Sequence, residues 1–252
     1  VTVRFEKTVY NLPGADFRID GNAFQGSSEP GVVWVSADVN GNGQPDDPWY
    51  ELYGSEQAAG RSTQAYTITY TKPASADQDT PWRGSDDREG SILFNSFHNH
   101  YYYPMWYDTD TKAFTGTLLP ENMHKEGNQW VMSSFEYGYV DNLPNSPENS
   151  SFDIDMARDG DGMPVQLESI RFVRIQCAAI GCNNLTGQHA VQGQFRSKKL
   201  RISAGQIDQI NVLGQFITGQ RAEVNHLTHL RQPVQVLPVS KIERPVPGYC
   251  NP

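Results

Sequence analysis

The chain has 252 residues, of which 37% are hydrophobic, 11% aromatic and 19% charged, with 22 Gly, 16 Pro and a formal net charge of −9. Glycine follows no three-residue period, which excludes collagen, and the composition is far from the Ala/Glu/Lys/Leu mixture of a coiled coil. No apolar run approaches the ~18–20 residues of a membrane helix, the aromatic content supports a packed core rather than wholesale disorder, and the acidic balance makes nucleic acid a poor partner.

The chain opens on Val1-Thr2-Val3-Arg4-Phe5, an alternation that predicts a strand. It shows neither an initiating Met nor a signal peptide, as expected of a processed, exported chain or a trimmed one. Val32-Val33-Trp34-Val35, entered from Glu29-Pro30-Gly31, predicts a buried strand. Tyr66-Thr67-Ile68-Thr69-Tyr70-Thr71 alternates Thr with bulky residues and stops at Lys72-Pro73, which predicts a half-buried strand. Further strands are predicted at 90–97, 113–118, 167–175 and 199–203. Polar loops are expected at 74–89 and 142–151. No segment sustains helical periodicity. Many short strands with Gly, Pro and Asn turns predict an all-β fold, a single jelly-roll-like β-sandwich over 1–214. From 215 to 252 a different character sets in. Gln232-Pro233-Val234-Gln235-Val236-Leu237-Pro238 alternates but is broken by proline, which suits an extended arm or an edge strand.

The most specific local motif is Asp38-Val39-Asn40-Gly41-Asn42-Gly43-Gln44-Pro45-Asp46-Asp47. Oxygen-bearing side chains recur at every second position from Asp38, and a glycine follows the third of them, the pattern of a calcium loop. Asp38, Asn40, Asn42 and Asp46 would supply side-chain oxygens and Gln44 its backbone carbonyl, with Asp47 or Glu51 completing the shell. Trp49 stands where an EF-hand has its bidentate Glu, and the flanks read as strands, so the motif is an EF-like loop inserted between strands. The competing reading is an Asn-Gly hairpin without metal.

A second acidic stretch, Asp153-Ile154-Asp155 followed by Asp159-Gly160-Asp161-Gly162, reads as a polar β-turn. The two leading acids would share a face if they lie on a strand, an arrangement that a paired-carboxylate glycosidase could also use. The run from His98 to Tyr107 is dense in aromatic and imidazole groups. Trp82, Tyr101, Tyr103 and Trp106 are the candidate contact face for a glycan or small nutrient, set against ordinary core packing. His98 and His100 would share a strand face, but no third zinc ligand accompanies them. Cys177 and Cys182 are close enough in sequence for a small disulfide loop, and Cys250 has no evident partner, so it could pair between molecules. The basic cluster Arg196, Lys198, Lys199 and Arg201 fits the outward face of a strand. Gly-x-Ser-x-Gly, Walker, His-Glu-x-x-His and Gly-x-Gly-x-x-Gly motifs are all absent, so a non-enzymatic role is expected.

Several strings occur in order: Asn11-Leu12-Pro13-Gly14-Ala15-Asp16-Phe17, Asp20-Gly21-Asn22-Ala23-Phe24, Glu29-Pro30-Gly31-Val32-Val33, and the Asp38 loop running into Pro45-Asp46-Asp47-Pro48-Trp49-Tyr50-Glu51-Leu52. Gly54-Ser55-Glu56, Phe97-His98, Tyr102-Tyr103-Pro104 and Gly138-Tyr139-Val140-Asp141-Asn142 follow. Over roughly residues 1–205 this resembles an uncharacterised family of secreted and cell-surface proteins of Bacteroidota. Some of its members carry PKD- or immunoglobulin-like modules, and some sit beside outer-membrane uptake systems. The resemblance implies export and a surface location. Together these features lead to the expectation of a calcium-stabilised structural or adhesive subunit that self-associates or binds other surface proteins through its arm. The alternative is a glycan- or nutrient-binding module.

Overall fold

The computed structural model describes residues 1–94, 101–103, 105–183, 188–191, 200–204 and 212–214. In chain order the strands are β1 (Thr2–Tyr10), β2 (Phe17–Asp20), β3 (Gly31–Ser36), β4 (Tyr50–Leu52), β5 (Thr63–Thr71), β6 (Thr80–Gly84), β7 (Glu89–Ile92), β8 (Thr111–Leu118) and β9 (Met123–Glu126). They continue with β10 (Gln129–Met132), β11 (Ser151–Phe152), β12 (Ala157–Arg158), β13 (Ser169–Cys177), β14 (Ile180–Asn183), β15 (Gln188–Val191), β16 (Leu200–Ala204) and β17 (Val212–Gly214). One short helix, α1 (Ser55–Ala58), and a 3₁₀ turn at Ile154–Met156 interrupt them. No helix among the described residues is long and apolar enough to cross a membrane.

The architecture is all-β and sandwich-like, and among the described residues no sheet closes into a barrel. A five-stranded sheet runs β1-β13-β3-β4-β12, and a four-stranded sheet runs β11-β2-β16-β17. Their facing sides share one core. Val3 and Phe5 of β1, Val33 and Val35 of β3, Leu52 of β4 and Val173 and Ile175 of β13 meet Phe17 and Ile19 of β2 and Phe152 of β11. The Phe17 and Phe152 rings stack 5.5 Å apart. Each such side chain contributes roughly 1.5–3 kcal/mol when fully buried.

The opposite face of the five-stranded sheet is covered as well. Val32 packs with Leu119, Tyr139 and Ala178, and Trp34 joins this cluster. Burial on both faces explains why β3 reads as a continuous apolar run rather than an alternating one. A third sheet, β7-β6-β5-β8, shows the contrasting pattern. Tyr66, Ile68 and Tyr70 of β5 face inward with Trp82 and Tyr103, while Thr67, Thr69 and Thr71 point the other way, as the alternation predicts.

The expected loop at 74–89 is corrected: Thr80–Gly84 is a strand. Its period of two, with Thr80 and Trp82 buried and Pro81 and Arg83 exposed, was obscured by its proline and surrounding charges. Pro81 lies one position past the β5 pairing, which ends at Trp82 opposite Tyr70. The predicted strand at 90–97 is β7 in its first part, and 95–97 falls outside the described residues. So does the arm at 215–252.

Candidate functional site

Strands β3 and β4 pair antiparallel, with Val33 opposite Leu52 and Val35 opposite Tyr50. The Asp38–Asp47 loop therefore caps one end of the five-stranded sheet. Its turns depend on Gly41 and Gly43, at φ +68° and +69°, values that only glycine adopts without strain. Gly43 is doubly constrained, because a Cβ there would stand 2.6 Å from Arg4 Nη1.

The loop is organised by its own oxygens. The Gly43 N–H donates to both carboxylate oxygens of Asp38, at 3.2 and 3.1 Å. Asn40 Oδ1 accepts the Asn42 N–H at 2.9 Å, and Asn42 Oδ1 accepts the Gln44 N–H at 2.7 Å. Asp47 Oδ2 accepts the Val39 N–H at 3.0 Å. The carboxamides of Asn40 and Asn42 each donate to Asp46, at 3.2 and 3.0 Å. Those two donors, Asn42 first, hold the Asp46 carboxyl below the usual carboxylate range. The five side chains expected to offer oxygens thus lie in one ring of hydrogen bonds, and Gln44 belongs to it through its backbone.

The sheet grips this ring from below. Arg4 Nη1 donates to the Gly43 carbonyl at 2.9 Å, and Trp49 Nε1 donates to the Pro45 carbonyl at 3.4 Å. The Arg174 guanidinium lies 3.9 Å over the Trp49 ring, and Trp49 also meets Phe172, with ring centroids 6.4 Å apart. Where an EF-hand has its last ligand, this loop has an aromatic anchor. No three His, Cys, Asp or Glu side chains converge as a metal-ligating group among the described residues. A cation here would draw on amide and backbone oxygens as well as carboxylates.

Glu51 does not complete this shell. It is buried and committed elsewhere, with Oε1 accepting from Gln57 Nε2 at 2.9 Å and Oε2 from Thr117 Oγ1 at 2.7 Å. Burial raises its pKa against the opposing effect of those two bonds. The network continues through Tyr139, whose hydroxyl donates to Gln57 Oε1 and accepts the Glu56 N–H at 2.7 Å. Desolvation pushes that phenol up to about 12.

The four aromatic residues expected to form a contact face are not brought together on the surface. Trp82 is 5% exposed and Tyr103 1%, both in the core behind β5, with the Tyr103 hydroxyl donating to the Thr109 carbonyl at 2.9 Å. Tyr101 is half-buried, and its hydroxyl reaches the Ala74 carbonyl at 3.4 Å. Trp106 is exposed, tilted against Tyr107. Alternation along β6 and the packing of Tyr103 against it decided this, and neither is visible in an aromatic count. His98 and His100 lie outside the described residues.

The second acidic stretch forms turns, in line with its reading as a polar turn. Asp153 and Asp155 do not share a strand face, because Asp153 caps a 3₁₀ turn by accepting the Asp155 N–H. Asp159 Oδ1 accepts the N–H groups of Asp161 and Met163, at 3.0 and 2.8 Å, closing the turn. Cys177 is a free thiol, and the side chain of Cys182, its expected partner, lies outside the described residues. Burial pushes the Cys177 thiol up to about 12, so it is a poor nucleophile.

Sequence reasoning missed the buried acids, chief among them Glu51 as a network centre and Asp141. Asp141 sits at φ +56°, and its Oδ1 accepts the Asn22 N–H at 2.5 Å. Desolvation raises it to about 6. Compared with known proteins, the chain matches no family model and no curated sequence.

Proposed function

We propose that the chain is a non-enzymatic, calcium-stabilised structural or adhesive subunit that works outside the cell. The observation that carries this reading is the Asp38–Asp47 ring. The Asp38 carboxylate accepts the Gly43 N–H, the Asn40 and Asn42 amides donate to Asp46, and Asp47 accepts the Val39 N–H. Asp38, Asp46 and Asp47, the carboxamide oxygens of Asn40 and Asn42 and the Gln44 carbonyl form a donor set suited to a hard divalent cation. Loading would tie the ends of β3 and β4 together and fix Trp49 against Phe172. The extracellular placement is supported by the sequence resemblance. Self-association rests on the sequence pattern of 215–252. Glycan binding through Trp82, Tyr101, Tyr103 and Trp106 is not carried further, since two of the four are core residues.

Thermal melting in calcium, in magnesium and in EDTA tests the metal reading. Calcium is expected to raise the melting temperature above both other conditions, and identical melting in calcium and EDTA would overturn it. Light scattering of the full chain in the same buffers tests the assembly reading. A particle larger than one chain is expected in calcium, and a monomer throughout would remove that part of the proposal.

A further inference from the structure

The same loop contains both Asn-Gly steps of the chain, Asn40-Gly41 and Asn42-Gly43, back to back. Asn-Gly is the dipeptide most prone to spontaneous deamidation, because glycine leaves the backbone nitrogen unshielded. The structure treats the two nitrogens very differently. The Gly43 N–H is clasped by both Asp38 oxygens, at 3.2 and 3.1 Å. The Gly41 N–H makes no hydrogen bond to any described residue, Gly41 is exposed, and the space where its Cβ would be is open.

We propose that Asn40 is a site of spontaneous deamidation and that Asn42, two residues on, is protected from it by Asp38. The Gly41 nitrogen gives up its proton to solvent base and attacks Asn40 Cγ. The new N–Cγ bond forms, the Cγ–Nδ2 bond breaks, and ammonia leaves after taking a proton from water. Water then opens the cyclic imide at either carbonyl, giving aspartate or isoaspartate. The net change is one water consumed and one ammonia released, with no oxidant or reductant. At Asn42 the first step is opposed, because removing the Gly43 proton would leave an anionic nitrogen between two carboxylate oxygens. A hydrogen bond to a charged acceptor is strong enough to separate the two rates by roughly tenfold or more.

The two side chains are otherwise matched, which isolates the backbone nitrogen as the cause. Each accepts the N–H two residues ahead, and each donates its amide to Asp46. The consequence is specific to the loop. Conversion at Asn40 replaces the amide that donates to Asp46 with a carboxylate, so two negative groups face each other across the ring. This inference concerns the metal-free loop and does not depend on calcium binding.

The test is peptide mapping by tandem mass spectrometry of the full chain, aged in EDTA at mildly alkaline pH, beside an aliquot aged in urea. In the folded chain Asn40 should gain the acid mass roughly tenfold or more ahead of Asn42, and in urea the two should converge. Asp38→Ala should raise the Asn42 rate toward that of Asn40. Asp38→Asn, which keeps a neutral acceptor in place, should give an intermediate rate. Equal rates in the folded chain, or a faster Asn42, would overturn the proposal. So would an Asn42 rate unmoved by both Asp38 variants. EDTA keeps the result separate from the calcium reading, which the melting experiment decides by itself.

Discussion

Two acid-bearing regions lie a few residues apart in sequence and use the same functional group in opposite ways. In the Asp38–Asp47 loop the carboxylates are half-buried or exposed, satisfied by amides and N–H groups of the loop itself, and Asp46 is held in its ionised form. Just beyond Trp49, the Glu51 carboxylate is 3% exposed, satisfied by side chains from two other elements, and its ionisation is opposed by burial. In the first region a lost hydrogen bond can be replaced by water, since solvent remains at hand. In the second it cannot, because any group removed there leaves a partner unpaired in the interior. A carboxylate's role is set by its surroundings, and one chain can place a solvated loop acid and a buried structural acid on successive elements.

The largest expected effect comes from breaking the buried side. Glu51→Ala leaves both Gln57 Nε2 and Thr117 Oγ1 without their acceptor and should cost about 3 kcal/mol in denaturant unfolding. A loss no larger than that of a surface substitution would mean that water or a rotamer change satisfies the pair, and that the contrast between the regions is overstated.

Asp141 sharpens the contrast through pH. Its folded-state pKa is raised from 3.8 to about 6 by desolvation. Between these values the folded chain holds a proton that the unfolded chain has released. This group's stabilising contribution is therefore fully present below the unfolded value and is lost as pH rises through about 6. The loss amounts to about 3 kcal/mol for a shift of this size. Asp141→Asn keeps an oxygen for the Asn22 N–H and suits φ +56°. It should flatten the stability profile between pH 4 and 7, read as denaturant midpoints across that range. An unchanged profile would place the titration elsewhere.

On the exposed side, Asp38→Ala combined with Asp46→Ala should abolish the calcium-dependent rise in melting temperature while leaving the EDTA value within a few degrees of the parent. A large fall in EDTA as well would show that the loop's own hydrogen bonds, not a cation, hold β3 and β4 in place.

The strands were legible because their burial is regular. The run at 32–35 and the alternation at 66–71 each state how many faces are covered, and β3 and β5 obey. The local hydrogen bonding of the Asp38 loop was legible for a different reason, since its polar side chains and glycines are close in sequence. Contacts between distant segments were not legible. Nothing in Glu51 points to Thr117, which is 66 residues away, or in Gln57 to Tyr139, 82 residues away. Trp82 was misplaced because a single Trp between proline and arginine looks like a loop until its neighbours in the sheet are known.

The smallest effect tests the surface at its most aromatic point. Trp106 is 40% exposed and tilted against Tyr107, whereas Trp82 lies among Tyr66, Ile68, Tyr70 and Tyr103. Replacing Trp82 with Ala empties a core position and belongs with the large effects. Trp106→Ala removes one exposed ring from a loop and should change stability by no more than about 0.5 kcal/mol. The useful measurement is the pair, made by chemical denaturation under one set of conditions. Similar losses would mean that Trp106 is packed against a surface it is not seen to touch. A wide gap would leave it, with Tyr107 beside it, as the one exposed ring of the four.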